Sequence, residues 1–210
     1  VYNFLKVLKV LKKYLLISAF LLFGFLVLII SILRSASLRH SSNFNLPPNF
    51  TYYDKGLPAG YYFASAGGVL PDSPFWPIKV FRDKIWLFLT PTLTQKSELN
   101  LLFSDKRLMA AKILLGNGKL ELAYTTLVKS QSYFEESQRL EKEAREKGYN
   151  TDELLLLLNK ASLSHKELIG MMMENFPENI KAEIYPIIDS LDRFYNESSS
   201  YLRSRNIISQ

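Results

Sequence analysis

Residues 96–134 read KSELNLLFSDKRLMAAKILLGNGKLELAYTTLVKSQSYF. Leu99, Leu102, Phe103, Ala110, Ile113 and Leu114 recur at steps of three and four, the period of a helix face. Gly116-Asn117-Gly118 stops the pattern, since Gly and Asn readily take the left-handed backbone that closes a helix. Leu120, Ala123, Tyr124, Leu127 and Phe134 then resume it. So short a connection turns the second helix back on the first. The stretch predicts two antiparallel helices, about Thr94–Leu115 and Lys119–Lys147, within an all-α fold. Lys106 falls within the first stripe and has to reach its edge.

Upstream, Pro74 and Pro77 bracket Phe75-Trp76. A helix from about Pro77 to Leu89 follows, with proline in the first turn where no amide hydrogen is missed. Ile78, Phe81, Ile85, Phe88 and Leu89 form its apolar face, and Lys79, Arg82, Asp83 and Lys84 flank it. Thr90-Pro91 ends it. Downstream, Glu135 to Lys147 is a mixed charge run, read as a solvated helix end with local ion pairs. Gly148 closes that helix and Thr151 is suited to cap the next, which runs to about Phe176. Pro177 precedes a fifth helix that begins near Glu178. Pro186 predicts a kink or break near Glu183 to Tyr185. Residues 204–210 read as a frayed tail. No strand pattern competes.

Tyr14 to Leu33, YLLISAFLLFGFLVLIISIL, runs twenty residues without a charge. As a helix it is about 30 Å long, the thickness of a bilayer core. It reads as a single transmembrane helix. A cleaved signal peptide is the alternative, but the apolar run is longer than such peptides use, and Arg34 abuts the Ser35-Ala36-Ser37 that would be cut. An uncleaved signal anchor is the expectation. Lys6, Lys9, Lys12 and Lys13 precede the span, and Arg34 and Arg39 follow it. The positive-inside rule then makes 1–13 a short basic cytoplasmic segment and puts the rest outside the cytoplasmic membrane. Lys6, Lys9, Lys12, Lys13 and Arg34 are the candidate membrane-interface residues, beside the lipid bilayer as partner.

Those six side chains up to Arg39 also account for the whole net charge of +6. Removing them from the 26 basic residues leaves 20 against 20 acids. The soluble part lacks the positive excess that phosphate binding demands, so no nucleic acid is expected as a partner. There is no cysteine, which excludes disulfides and thiolate chemistry.

Residues 34–68 read as a linker, with Pro47-Pro48 and the turn-like Asp54-Lys55-Gly56. Tyr52, Tyr53, Tyr61, Tyr62 and Phe63 are unusual in a tether. They either pack on the helical domain or lie at the membrane surface, and they are the candidate partner-binding strip. The helical domain is placed at 69–203.

No catalytic, cofactor or metal site is expected. His40 lies in the linker, and His165 falls near the apolar stripe of the fourth helix. A lone helical histidine is more often a core or boundary residue, and Glu174 is too far from it for metal-helix spacing. Neither a nucleophile elbow nor a phosphate-cradling glycine loop is present. Of Met171-Met172-Met173, only two can face a core.

The most specific local signal is Leu70-Pro71-Asp72-Ser73-Pro74-Phe75-Trp76-Pro77-Ile78-Lys79, followed by Lys106-Arg107-Leu108-Met109-Ala110-Ala111 and the turn Gly116 to Lys119. Over about residues 67–134, a third of the chain, this resembles a bacterial domain-of-unknown-function family, number 5667. The resemblance implies one N-terminal membrane span and an exported helical domain, and supplies no activity. Pro71, Pro74 and Pro77 would stiffen the entry, and Phe75 and Trp76 would anchor it to the bundle. The linker and the last two helices resemble nothing further.

The sequence thus predicts a transmembrane helix, a linker and an antiparallel bundle of about five helices. The expected function is non-enzymatic: a cell-envelope scaffold or binding module, for an envelope protein or wall polymer, in unknown oligomeric state. A membrane-anchored sensor signalling through a membrane partner is the alternative.

Overall fold

The computed structural model describes residues 12–25, 27, 28 and 61–208. All regular structure among them is helical. The chain divides into two compact units, Val1–Pro47 and Pro48–Gln210.

In the first unit, α1 covers residues 12–25 and 27–28. Among the described residues no helix is long and apolar enough to cross a membrane. The rest of the expected Tyr14–Leu33 span, residues 26 and 29–33, lies outside the described residues.

The second unit holds α2 (Trp76–Leu89), α3 (Leu93–Gly116), α4 (Leu120–Glu146), α5 (Asp152–Met173) and α6 (Glu178–Ser204). These are the five helices expected, with no end moved by more than three residues. Thr92 starts α3 by accepting a hydrogen bond from the Gln95 amide. Gly118, at φ +75°, ends it in a Schellman turn: its amide bonds to Leu115 and that of Lys119 to Leu114. α4 closes the same way, with Gly148 at φ +84°. α6 does so on Asn206, so the expected fraying at Ser204 is a closed turn as far as Ile207.

Side-chain pairs give the topology. Ser97 meets Ser137 and Ser104 meets Ser130, so α3 and α4 are antiparallel. Asn159 meets Ser198 and Lys166 meets Asp192, so α5 and α6 are antiparallel. Tyr124 pairs with Glu183, and Gln131 with Ser190, so α4 and α6 run parallel. The four helices therefore go up, down, up, down, and α2 lies against α3 through Trp86 and Phe103, ring centroids 6.0 Å apart.

The α3–α4 pair is joined by a seam of small residues. Ser97 Oγ donates to the Ser137 carbonyl and Ser137 Oγ to the Ser97 carbonyl, both at 2.7 Å. Seven residues on, Ser104 and Ser130 repeat the exchange at 2.9 and 2.8 Å. The same offset sets Ala111 against Ala123, both fully buried. Hydroxyls can reach a backbone carbonyl across the interface only where the two helices come close, and only small side chains permit that.

Several expectations change. α3 is not striped: Leu99, Asn100, Leu101, Phe103, Asp105, Arg107, Leu108 and Met109 are all buried, so it is the central helix, and Ile113 is at the edge. α2 is inverted. Its apolar residues Ile78, Phe81, Phe88 and Leu89 are exposed, and its one fully buried residue is Asp83. Residues 61–68 are linker by composition, yet Phe63, Ala64 and Ala66 are buried in the bundle. Pro186 does not break α6. Thr151 does not cap α5; its hydroxyl donates to the buried Glu141, and Asn150 Oδ1 accepts from the Asp152 amide instead.

We predict that Ser104→Leu will force α3 and α4 apart and lower stability by about 1–3 kcal/mol or more. Ser104→Ala, which keeps the close approach and loses one exchange, will cost only about 1 kcal/mol. Urea unfolding of both variants checks this, and equal losses would refute the seam.

Candidate functional site: the entry motif and the buried polar centre

The entry motif begins with two turns. The Ser73 amide bonds to the Leu70 carbonyl and the Trp76 amide to the Ser73 carbonyl. Pro77 then occupies the first turn of α2, where its missing donor is harmless. This aims Trp76 and Lys79 at α3. The Arg107 guanidinium lies 4.2 Å from the Trp76 ring centroid, and Lys79 Nζ lies 5.0 Å from it. Arg107 is buried and donates to Asp83 Oδ2 at 3.2 Å; Arg82 takes Oδ1 at 2.7 Å. Arg107 Nη1 finds no hydrogen-bond partner among the described residues; the guanidinium has the faces of Trp76 and Tyr133 beside it.

Lys79 Nζ donates to the carbonyls of Ala66 at 2.7 Å and Val69 at 2.9 Å. Both are turned to it by Gly67, at φ +76°, a backbone that suits glycine. Burial, and then the nearby Arg107 charge, bring the Lys79 amine down to about 8. The neutral amine still has two N–H donors for two carbonyls. Asp72 pairs with Lys119 at 2.5 Å, which ties the entry to the α3–α4 turn and holds the Asp72 carboxyl below its usual value.

Two residues before Arg107, on another side of α3, Asp105 gathers a second set of partners. Tyr61 Oη donates to Oδ1 at 2.9 Å and lies 3.0 Å from Oδ2. The Ala64 amide donates to Oδ2 at 3.2 Å. His165 Nε2 is 2.8 Å from Oδ1, so against a carboxylate it carries the proton. The His165 ring is buried between Phe134 and Phe63, 5.0 and 5.3 Å away. Burial first, and then the Asp105 charge, push the Tyr61 hydroxyl well above its ordinary value. Three donors from within the chain thus converge on this one carboxylate.

The other candidates fall as follows. Tyr61 and Phe63 belong to the Asp105 centre, whereas Tyr62 is exposed. Tyr52, Tyr53, Lys6, Lys9 and Arg34 lie outside the described residues; Lys12 and Lys13 are exposed on α1. Of the entry motif, Trp76 is half-buried and anchors as expected, Pro71 is half-buried, and Pro74 and Pro77 are exposed. Phe75 does not anchor: it is exposed, because the polar side of α2 faces the bundle. In the charged run of α4, Arg139 and Lys147 pair locally with Glu136 and Glu143 at the surface. Glu141 of that run is buried, between Arg145 and Thr151. No group of three or more His, Asp or Glu among the described residues is placed to hold a metal. Sequence reasoning gives Asp83 only as a flank of α2 and Arg107 only as part of the motif, and gives Asp105 no role. The available signal was that Asp83 is the sole acid of α2 and that Asp105 and Arg107 stand between the apolar residues Leu101 to Phe103 and Leu108 to Ala111 of α3.

The chain belongs to the family described as a domain of unknown function (DUF5667), whose model matches residues 68–179. The match extends past the expected residue 134 to include α5. No curated protein and no solved structure matches the chain.

Asp105→Ala is predicted to leave three buried donors without an acceptor and to cost about 3–5 kcal/mol. Hydrogen exchange will show the Ala64 amide losing protection before the α3–α4 amides do. Two pH effects of opposite sign are also predicted. Tyr61 favours its neutral form when folded, so its contribution is complete below the unfolded value of about 10 and is lost as pH rises above it. Lys79 titrates near 8 when folded and near about 10.4 when unfolded, so the unfolded chain holds more protons between those values and stability gains with pH there. A Lys79 Cε titration by NMR with its midpoint at the unfolded value would refute the second.

Proposed function

We propose that this chain is a non-enzymatic, single-pass membrane protein. Residues 14–33 anchor it in a bacterial cytoplasmic membrane, with the basic residues before the span on the cytoplasmic side. The DUF5667 bundle stands on the outer side as a scaffold or binding module of the cell envelope. An envelope protein or a wall polymer is its partner.

The observation that carries this reading is α1. Phe20, Leu21, Leu22 and Phe23 are consecutive, so they point to all sides of the helix, and all are exposed. A helix apolar all round belongs in a core or in lipid. The lysines before it and the absence of any charge up to Arg34 agree with an anchor. The non-enzymatic part is supported by the way Asp83, Asp105 and Glu141 are consumed by internal partners.

In cells, the full chain is expected to stay with membranes through alkaline carbonate extraction. A variant lacking 14–33 will be released with its helical circular dichroism intact. Protease added to spheroplasts will digest the bundle and spare the lysine-bearing end. Extraction of the full chain by carbonate would overturn the anchor, and hydrolytic turnover by the purified protein would overturn the non-enzymatic reading.

A further inference from the structure

We infer that the outer face of α2 lies on the surface of an anionic bilayer. Phe75, Ile78, Phe81 and Phe88 are 64, 67, 66 and 85% exposed, with Leu89 beside them. Their spacing puts them on one stripe along a 14-residue helix, about 21 Å of apolar edge. The stripe faces outward by construction. Trp76, Lys79 and Asp83 bind the opposite face to α3 and to the entry segment, so α2 cannot turn its apolar side inward without breaking the Arg107–Asp83 pair and the Lys79 bonds.

Charge identifies what covers it. The only acid of α2, Asp83, is buried; beside the stripe the helix exposes Lys84, and also Arg82, whose guanidinium Asp83 already holds on one side. An aromatic, cation-edged helix without an exposed acid suits an anionic lipid surface, where the rings enter the headgroup boundary and the cations meet phosphate. A soluble partner that met the same face would need acids around an apolar groove; lipid supplies both. The chain also keeps this face near a membrane, and here the inference rests on the anchor proposed above. Only residues 34–60 separate the apolar segment from the described bundle, at most about 95 Å fully extended. Lipid is then present at high effective concentration.

The chain has no cysteine, so single-cysteine labels can be placed in it without removing any. Phe88→Cys, Phe20→Cys and Tyr149→Cys, all at exposed positions, are each labelled with the fluorophore NBD and reconstituted in 3:1 phosphatidylcholine–phosphatidylglycerol vesicles. Brominated lipid is expected to reduce the Phe88 label's emission at least about twofold, and to leave the Tyr149 label unchanged. Omitting phosphatidylglycerol will weaken the Phe88 effect. A quenched Phe20 label with an aqueous Phe88 label overturns the α2 inference and leaves the anchor standing. A quenched Phe88 label with an aqueous Phe20 label does the reverse. A Phe88 label that is blue-shifted yet unquenched means a protein covers the stripe, a second copy included, and overturns the inference. Equal quenching at Tyr149 overturns it as indiscriminate adsorption.

Discussion

Two buried polar residues on the central helix, a carboxyl and a guanidinium, organise the fold. Asp105 and Arg107 are two positions apart, which puts them about 200° apart around α3, on nearly opposite sides. Each is buried, and a buried polar group must be compensated. On one side the entry segment comes in to supply Tyr61 and Ala64, and α5 supplies His165. On the other, α2 comes in polar side first to supply Asp83 and Trp76. The positions of the entry segment and α2 are therefore consequences of these two groups on α3. The outward apolar stripe of α2 is a consequence too, since the helix has only one other side.

The family motif reads differently in this light. Its prolines shape the approach, but its force is in the residues that reach across: Asp72 to Lys119, Trp76 to Arg107, and Lys79 to the carbonyls of Ala66 and Val69. The two halves of the motif, some thirty residues apart in sequence, meet as one lock. Trp76, Lys79 and Arg107 thus find their partners in one another and in the backbone of the entry segment.

Helix positions were legible in the sequence because three- and four-residue steps and Gly-Asn-Gly stops act locally. What was not legible is which side of a helix faces in. The stripe Ile78, Phe81, Ile85, Phe88 reads as an inner face on periodicity alone, and only the buried Asp83–Arg107 pair reverses it. α3 was misread as striped because Asp105 and Arg107 look like a polar flank until their partners, 24 to 60 residues away in sequence, are known. Tyr61 and Phe63 were ambiguous for the same reason: their aromatic character fits a core and a surface equally, and Asp105 decides between them. Thr151 has the identity of a cap, but Glu141 competes for its hydroxyl.

The serine seam has one property that its hydrogen bonds conceal. It repeats every seven residues on both helices, so it is a ruler with identical marks. Sliding α4 by a heptad would bring Ser104 opposite Ala123 and Ser97 opposite Ser130, again small against small. The seam therefore fixes the distance between the helices but leaves their register degenerate. The degeneracy is broken at the hairpin, where the Gly118 turn allows too little chain for a slipped alignment and Lys119 is already committed to Asp72. Closeness is encoded along the helices, and alignment at their junction.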